Sequence, residues 1–343
     1  MKAVVLEAPE QLEYRDVPVP ELGTGMARVR VGAASICGSD MLRVYHGAAR
    51  VLPIVLGHEF AGEIEAVNGV SDTWLGQRVA IAPLIPCMTC ENCQRELYAC
   101  CTRYSFIGSR VQGGFAETVD VPAANLVPLP DELDLTLGAL VEPISVGLHA
   151  LARAGGAPGK RVAVIGVGSI GLLAVRSAVW SGAALALAVD IEDDNLAAAA
   201  AMGATAVYNP RSEDVPRRIQ AEFGGVDIAI EASGARAGLE LALAMCAAGG
   251  SIVCVGNQPL DQALSLRWIE HLMRQELQVY GAWMSYSAPF PGQEWLDSVA
   301  LLAQDTDLMR TTFTHDVTLA RLPGMFARLH AGGFPHRKVL VTY

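Results

Sequence analysis

The sequence predicts a chain of two fold types, a mainly β part and an α/β part built on a doubly wound parallel sheet of the Rossmann kind. Three observations carry this. Short β-type runs broken by Gly and Pro fill the chain from Met1 to about Ala150. From about Gly159, apolar strands alternate with Ala- and Leu-rich helical stretches, the pattern of a parallel sheet. A triplet of spaced glycines follows the first of those strands. A length of 343 residues suits two domains. A hydrophobic content of 52% against 18% charge excludes a disordered chain.

Taken in order, the β part offers strands at 27–31, 62–67 and 79–82. The α/β part offers strands at 161–165, 184–189, 206–208, 226–230, 251–255 and 277–280, with an Ala-rich helix at 196–202. After Trp283 comes the turn-rich SYSAPFPG, then a helix at 295–303 and a strand at 338–341. This tail is expected to rejoin the first domain. The expected domains are therefore 1–150, 151–285 and a return segment 286–343. No long charged or Gly/Ser linker separates them, so they are expected to meet closely and leave a cleft.

Several classes fall away. The N-terminal MKAVVLEAPEQLEYRDVPVP has acids and prolines where a signal peptide needs an unbroken apolar stretch. No apolar stretch reaches the ~18–20 residues that span a bilayer. A net charge of −11 opposes binding to nucleic acid. Five of eight cysteines crowd into 87–101, which favours metal over a disulfide framework and points to a reducing, cytoplasmic home.

In RVAVIGVGSIGLLAV an apolar strand runs into Gly166, Gly168 and Gly171, spaced G-x-G-x-x-G, and then into a helix that includes Ser169 and Ile170. The first glycine permits the tight turn and the second lets backbone approach a pyrophosphate. The third packs helix on strand, and the helix N-terminus faces the negative charge. Nineteen residues on, Asp190 ends the next strand and can accept the adenosine ribose hydroxyls. It would repel a 2′-phosphate, so NAD is expected over NADP. Glu231 to Gly234 and Val255 to Asn257 end later strands on the same carboxyl edge.

The segment PCMTCENCQRELYACC places Cys87, Cys90 and Cys93 so that one loop can wrap thiolates around a tetrahedral zinc, with Cys101 or its neighbour Cys100 as the fourth ligand. Four thiolates leave no open position, so this zinc is expected to be structural. Cys246 and Cys254 lie in apolar runs and read as core.

Cys37, in SICGSDMLR, and His58 with Glu59, in GHE, form a mixed donor set that suits a zinc keeping a position open. Glu142, just before a proline that can start a helix, is a further carboxylate candidate. Such a zinc eases proton loss from an alcohol, after which hydride can pass to a nicotinamide. Ser39, two residues after Cys37, is the candidate proton relay.

Taken together, CGSD, GHE, the four-cysteine loop, EPISVGLHA and GVGSIG resemble, in order and across essentially the whole chain, the zinc-containing medium-chain dehydrogenases. The resemblance implies a GroES-like β catalytic domain, a Rossmann domain, and a homodimer or homotetramer. It favours Cys101 as the fourth loop ligand. PCMTCENC, YSFIGSRVQGGFAE and WMSYSAPFPGQEW are similar to the polyol dehydrogenase branch, which implies Cys37 and His58 on the catalytic zinc with carboxylates from Glu59 and Glu142. The expected reaction is NAD-dependent oxidation of a polyol or polyol phosphate. An unphosphorylated polyol or a threonine-type amino alcohol is the alternative. Sorbitol dehydrogenases carry a His shortly after CGSD, where this chain reads MLRVYH. A phosphate ester would need a cation, and Arg43 and Arg110 are the candidates, though each also reads as a solvated arginine. Trp283 is a further candidate substrate contact.

Overall fold

The structure, a computed structural model, describes residues 1–257, 263 and 265–343. It contains two compact units, Met1–Glu142 with Tyr286–Tyr343, and Pro143–Ser285. The division falls in the first turn of the helix Val141–Arg153, so residues 143–150 go with the second unit.

In the first unit the strand Met26–Ser35 pairs antiparallel with Glu59–Asn68, Thr118–Pro122 and the last strand, Lys338–Thr342. Its sequence MARVRVGAAS alternates at first, so Val29 and Val31 face the core while Arg28 and Arg30 meet acids on neighbouring strands. Phe60, Phe115, Phe326 and Val341 fill that core, and the rings of Phe115 and Phe326 meet edge to face. The tail is tied in by pairing, since Leu340 lies opposite Ser35. Trp295, on the helix Gln293–Gln304, is fully buried.

In the second unit, among the described residues, six strands form one parallel sheet. Their order is Ala206–Tyr208, Leu185–Val189, Arg161–Ile165, Val226–Glu231, Cys246–Cys254, Gln278–Gly281. Numbered along the chain this is the 3-2-1-4-5-6 order of the Rossmann fold, whose direction of winding reverses between the first and fourth strands. Residues 162–165 and 228–230 are buried on both faces, which is why they read as unbroken apolar runs. The fifth strand begins at Cys246, five residues before the sequence suggests. CAAGG reads as a turn, but Cys246 pairs with Val226 and a register shift absorbs the glycines. No described helix is long and apolar enough to cross a membrane.

Candidate active site

Cys37 lies two residues past the end of the central strand of the first unit, Met26–Ser35, and caps the helix Gly38–Tyr45. Its backbone N–H donates to Asp40 Oδ2 at 3.2 Å and its Sγ accepts from the Ser39 N–H at 3.5 Å, a capping box that fixes the sulfur's direction. His58 and Glu59 stand at the start of the neighbouring strand. One ligand atom each from Cys37, His58 and Glu59 lies within 4.8 Å of the others. His58 is buried against the edge of Phe106. Its Nδ1 lies 3.5 Å from Asp40 Oδ1 and has no hydrogen-bond partner. A ring lightly tethered on one nitrogen, with the thiol and carboxylate beside it, is the donor chemistry of a metal site.

Electrostatics reinforce this. Burial opposes a charged His58, but Asp40 and Cys37 outweigh it and push the imidazole's pKa well up. Burial likewise opposes the Asp40 anion, yet His58, Arg43 and the Cys37 N–H hold its pKa below the usual range. Burial pushes the Glu142 carboxyl up to about 7, against the pull of His58 and Lys338 and with help from Glu59 and Asp40. Glu142 thus shares the field of the group without belonging to the 4.8 Å set. Beneath the group, both Glu59 carboxylate oxygens accept from the Lys338 ammonium, and Oε2 also accepts from Ser35 Oγ. Glu59 and Lys338 are buried to within 1% of full coverage.

The second cluster is Cys87, Cys90, Cys93 and Cys101, again within 4.8 Å of one another. Thiolates about 2.3 Å from a tetrahedral zinc stand about 3.8 Å apart. The Cys90–Cys93 and Cys90–Cys101 sulfur separations are 3.6 and 3.9 Å. The Cys87 and Arg103 backbone N–H groups donate to Cys101 Sγ, and Arg103 Nη2 to Cys87 Sγ, which favours thiolates. The Thr89 N–H lowers the Cys87 pKa to about 5 and the Cys93 N–H lowers that of Cys90 to about 7, whereas burial pushes Cys93 up to about 12. Cys100 is exposed and outside the cluster.

The second unit holds the glycine loop. Gly166 has φ +81°, and a Cβ there would lie 2.6 Å from Ser233; one on Gly171 would lie 1.9 Å from the Gly166 carbonyl oxygen. A Cβ on Gly168 would meet no protein atom within 4 Å, so the space above that residue is left for a ligand. Gly168 caps the helix Ser169–Trp180, and no side chain caps that helix N-terminus, which suits a phosphate. Asp190 follows the second strand. Its Oδ2 accepts from the Val167 N–H at 2.7 Å and its Oδ1 from the Glu192 N–H at 2.9 Å. Beside it opens a cavity of about 590 Å³ lined in part by Gly166, Asp190, Ile191, Arg211 and Trp268. Val255 donates its N–H to the Glu231 carbonyl, and the Glu231 carboxylate accepts from the Ser233 and Gly234 N–H groups.

Residues 23–131 match the alcohol dehydrogenase GroES-like domain, and residues 169–303 match the zinc-binding dehydrogenase family. The chain is 38% identical, over 308 residues and 89% of each chain, to galactitol 1-phosphate 5-dehydrogenase of Escherichia coli. It belongs to the zinc-binding alcohol dehydrogenases. It is accordingly an oxidoreductase acting on CH–OH groups. It is 35% identical to sorbitol dehydrogenase of Bacillus subtilis, over 87% of this chain and 86% of that one. Crystal structures of galactitol-1-phosphate dehydrogenase from Escherichia coli (TM-score 0.95, 35% identity, all of both chains) and of a zinc-binding dehydrogenase from Sinorhizobium meliloti bound to NADP (TM-score 0.91, 30% identity, 100% of this chain and 99% of that one) share its fold.

Against this alcohol dehydrogenase frame, the candidate residues sort unevenly. Ser39 Oγ accepts from Arg43 Nη1 at 2.7 Å and donates to Cys37 Sγ at 3.2 Å, so both residues sit at the candidate metal group. Arg43 also donates to Asp40 through Nη1. Arg110 stacks on Tyr104 and donates to that residue's carbonyl, committed to its own loop. Trp283 follows the last strand of the second unit and is more than half exposed. Sequence reasoning passed over Asp40, Ser35 and Lys338. Asp40 was findable, since Cys37 and Asp40 have N-cap and N3 spacing. Lys338 gave one signal, a lone charge opening the otherwise apolar KVLV.

Proposed function

We propose that this dehydrogenase oxidises a secondary hydroxyl of a polyol or polyol phosphate, of the galactitol 1-phosphate kind, to the ketone, with NAD. The observation that carries it is the convergence of Cys37, His58 and Glu59 on one point beside Ser39 and Arg43. Cys37 and His58, with carboxylates from Glu59 and Glu142, would hold a catalytic zinc, which would supply the Lewis acidity that eases loss of the hydroxyl proton. Asp40 steadies the His58 ring from behind. Ser39 Oγ accepts from Arg43 and its O–H donates to Cys37 Sγ, so moving the substrate's proton would have the Ser39 O–H turn from the sulfur towards the substrate. Arg43 cannot itself accept that proton, so the relay does not run through it. Nη1 makes both of its hydrogen bonds, which leaves the rest of the guanidinium for an anionic substrate group.

Cys87, Cys90, Cys93 and Cys101 would hold a second, structural zinc, and the 3.6 and 3.9 Å sulfur separations support that reading. Gly166, Gly168, Ser169, Ile170 and Gly171 would carry the NAD pyrophosphate, Asp190 the adenosine ribose and Val255 the far half; NAD accepts the hydride. The carboxylate of Asp190 supports NAD over NADP. Thiols held as metal ligands suit a cytoplasmic setting. The exposed edge strand Gln278–Gly281, with exposed Ile269 and Met273 on the helix before it, supports assembly as a homo-oligomer.

The test is NADH production by the purified, zinc-loaded protein on galactitol 1-phosphate, galactitol, sorbitol and threonine. The expected result is the highest kcat/KM on the phosphorylated hexitol. A higher value on the free polyols moves the substrate to the sorbitol side, where the 35% identity points. Activity on threonine alone, or no NADH from any polyol, overturns the proposal.

A further inference from the structure

We propose that Tyr286 is a positioning residue: together with Phe290 it clamps the cysteine loop at two points, and so sets how Phe106 seats the His58 ring. This rests on the catalytic-metal reading above. All the residues involved belong to the first unit. The clamp is the turn-rich segment SYSAPFPG, which the chemistry so far leaves unused. From Tyr286 onward it is a closed block. Ser287 Oγ donates to the buried Glu294 carboxylate at 2.5 Å, and the Ser287 N–H donates to the Pro291 carbonyl at 3.3 Å. A Cβ on Gly292 would lie 2.6 Å from that same carboxylate, so the turn closes tightly on it. Tyr286 is buried, with its ring stacked parallel on Phe290 at 5.5 Å and tilted against the fully buried Trp295 at 5.5 Å.

One grip is on the returning limb of the loop. Tyr98, in the short helix Tyr98–Cys100 that leads into Cys101, meets Phe290 edge to face at 5.5 Å. The other grip is on the neck. There the strands Leu84–Ile85 and Ser105–Phe106 pair antiparallel, with Leu84 opposite Phe106. Tyr286 Oη accepts from the Leu84 N–H at 2.8 Å, and the Leu84 carbonyl accepts from Asn125 at 2.6 Å. Leu84 is fully buried, so without the phenol oxygen that N–H has no water to turn to. Burial raises the Tyr286 pKa well above its ordinary value, against the pull of the Leu84 N–H and with help from Glu142 and Glu294, so the phenol stays neutral. Phe106 carries the path to the site, its ring edge to face with His58 at 5.6 Å. His58 Nδ1 makes no hydrogen bond, so the tilt of the imidazole is left to packing, and Phe106 is the ring packed against it. Close-packed side chains transmit a displacement to their neighbours. A loop whose zinc is structural thereby takes a share in the site that reacts.

The test uses the full-length protein with Co²⁺ exchanged into the catalytic site and zinc kept in the cysteine loop, read by the visible cobalt bands and by competition for the cobalt with dipicolinate. Tyr286→Phe removes one oxygen and keeps the rings, whereas Phe290→Leu removes the grip on Tyr98. Each is expected to shift the bands and to weaken cobalt binding about tenfold, the lower end of what loss of an outer partner costs a metal site. Phe290→Tyr keeps the ring and is expected to match the parent protein. Parent-like bands and cobalt affinity in either Tyr286→Phe or Phe290→Leu overturn the proposal. So does a change in Phe290→Tyr as large as that in Phe290→Leu, since the ring is then not what grips. Should Phe290→Leu lose the loop zinc or fail to fold, Tyr286→Phe decides alone. A parent protein whose cobalt bands survive Cys37→Ser refutes the catalytic-metal reading itself and the proposal with it.

Discussion

Replacing Asp190 with Ala is expected to have two separable effects, because its carboxylate has one proposed duty and one that the structure shows. One is the ribose. The other is the glycine loop, whose Val167 N–H donates to Oδ2 at 2.7 Å, while Oδ1 takes the Glu192 N–H at 2.9 Å. Val167 is fully buried, so the alanine leaves its N–H without a partner; the Glu192 N–H, on an exposed residue, can turn to water. The loss from a charged acceptor is about 1.5–3 kcal/mol for the first and less for the second, roughly 2–4 kcal/mol in all. At about 2–4 °C per kcal/mol for a unit of this size, the apparent unfolding midpoint should fall by roughly 5–15 °C. Loss of the ribose acceptor should weaken NAD about 10- to 100-fold. NADP should be affected less, because a repulsion is removed along with the contact, so the preference for NAD narrows. Thermal scans and titrations with NADH and NADPH measure both. An unchanged ratio of the two dissociation constants refutes the ribose assignment, and an unchanged midpoint refutes the structural duty.

Cys37→Ser should abolish turnover, yet NADH should bind within a factor of about two, since Cys37 and the glycine loop belong to different compact units. Equal loss of both, in an activity assay and a binding titration, contradicts the division of labour. Cys93→Ser should lower the zinc content by one ion per chain and, as loss of a structural metal, cost about 4 kcal/mol or more, a fall of roughly 8 °C or more in the first unit's midpoint. Cys100→Ser should change neither. Loss of zinc in the Cys100 variant, measured by elemental analysis, would reassign the fourth ligand.

The second unit was legible because its signals are local. Arg161–Ile165 and Ala206–Tyr208 lie where apolar runs bounded by glycine put them, and Gly166, Gly168 and Asp190 are read within 25 residues of sequence. The missed start at Cys246 shows the limit: whether CAAGG turns or extends depends on Val226, a partner twenty residues away that periodicity does not see.

The candidate metal site was legible only in part, for the same reason at longer range. Cys37, His58 and Glu59 announce themselves by residue type and short motifs, but what each does is set by neighbours that strand pairing supplies. Ser35 reaches Glu59 across 24 residues and Lys338 across 279. A lysine opening KVLV at the end of the chain is, as sequence, an ordinary strand boundary. It becomes a partner of Glu59 because the last strand lies antiparallel to Met26–Ser35, with Leu340 opposite Ser35. Motifs of this kind therefore name the donors available to a metal, while the sheet sets what else each donor is bonded to. The open choice between Glu59 and Glu142 is a case in point. Nothing in GHE or EPIS separates them, whereas the structure gives one carboxylate a buried counter-ion on both oxygens and pushes the other up towards neutrality by burial.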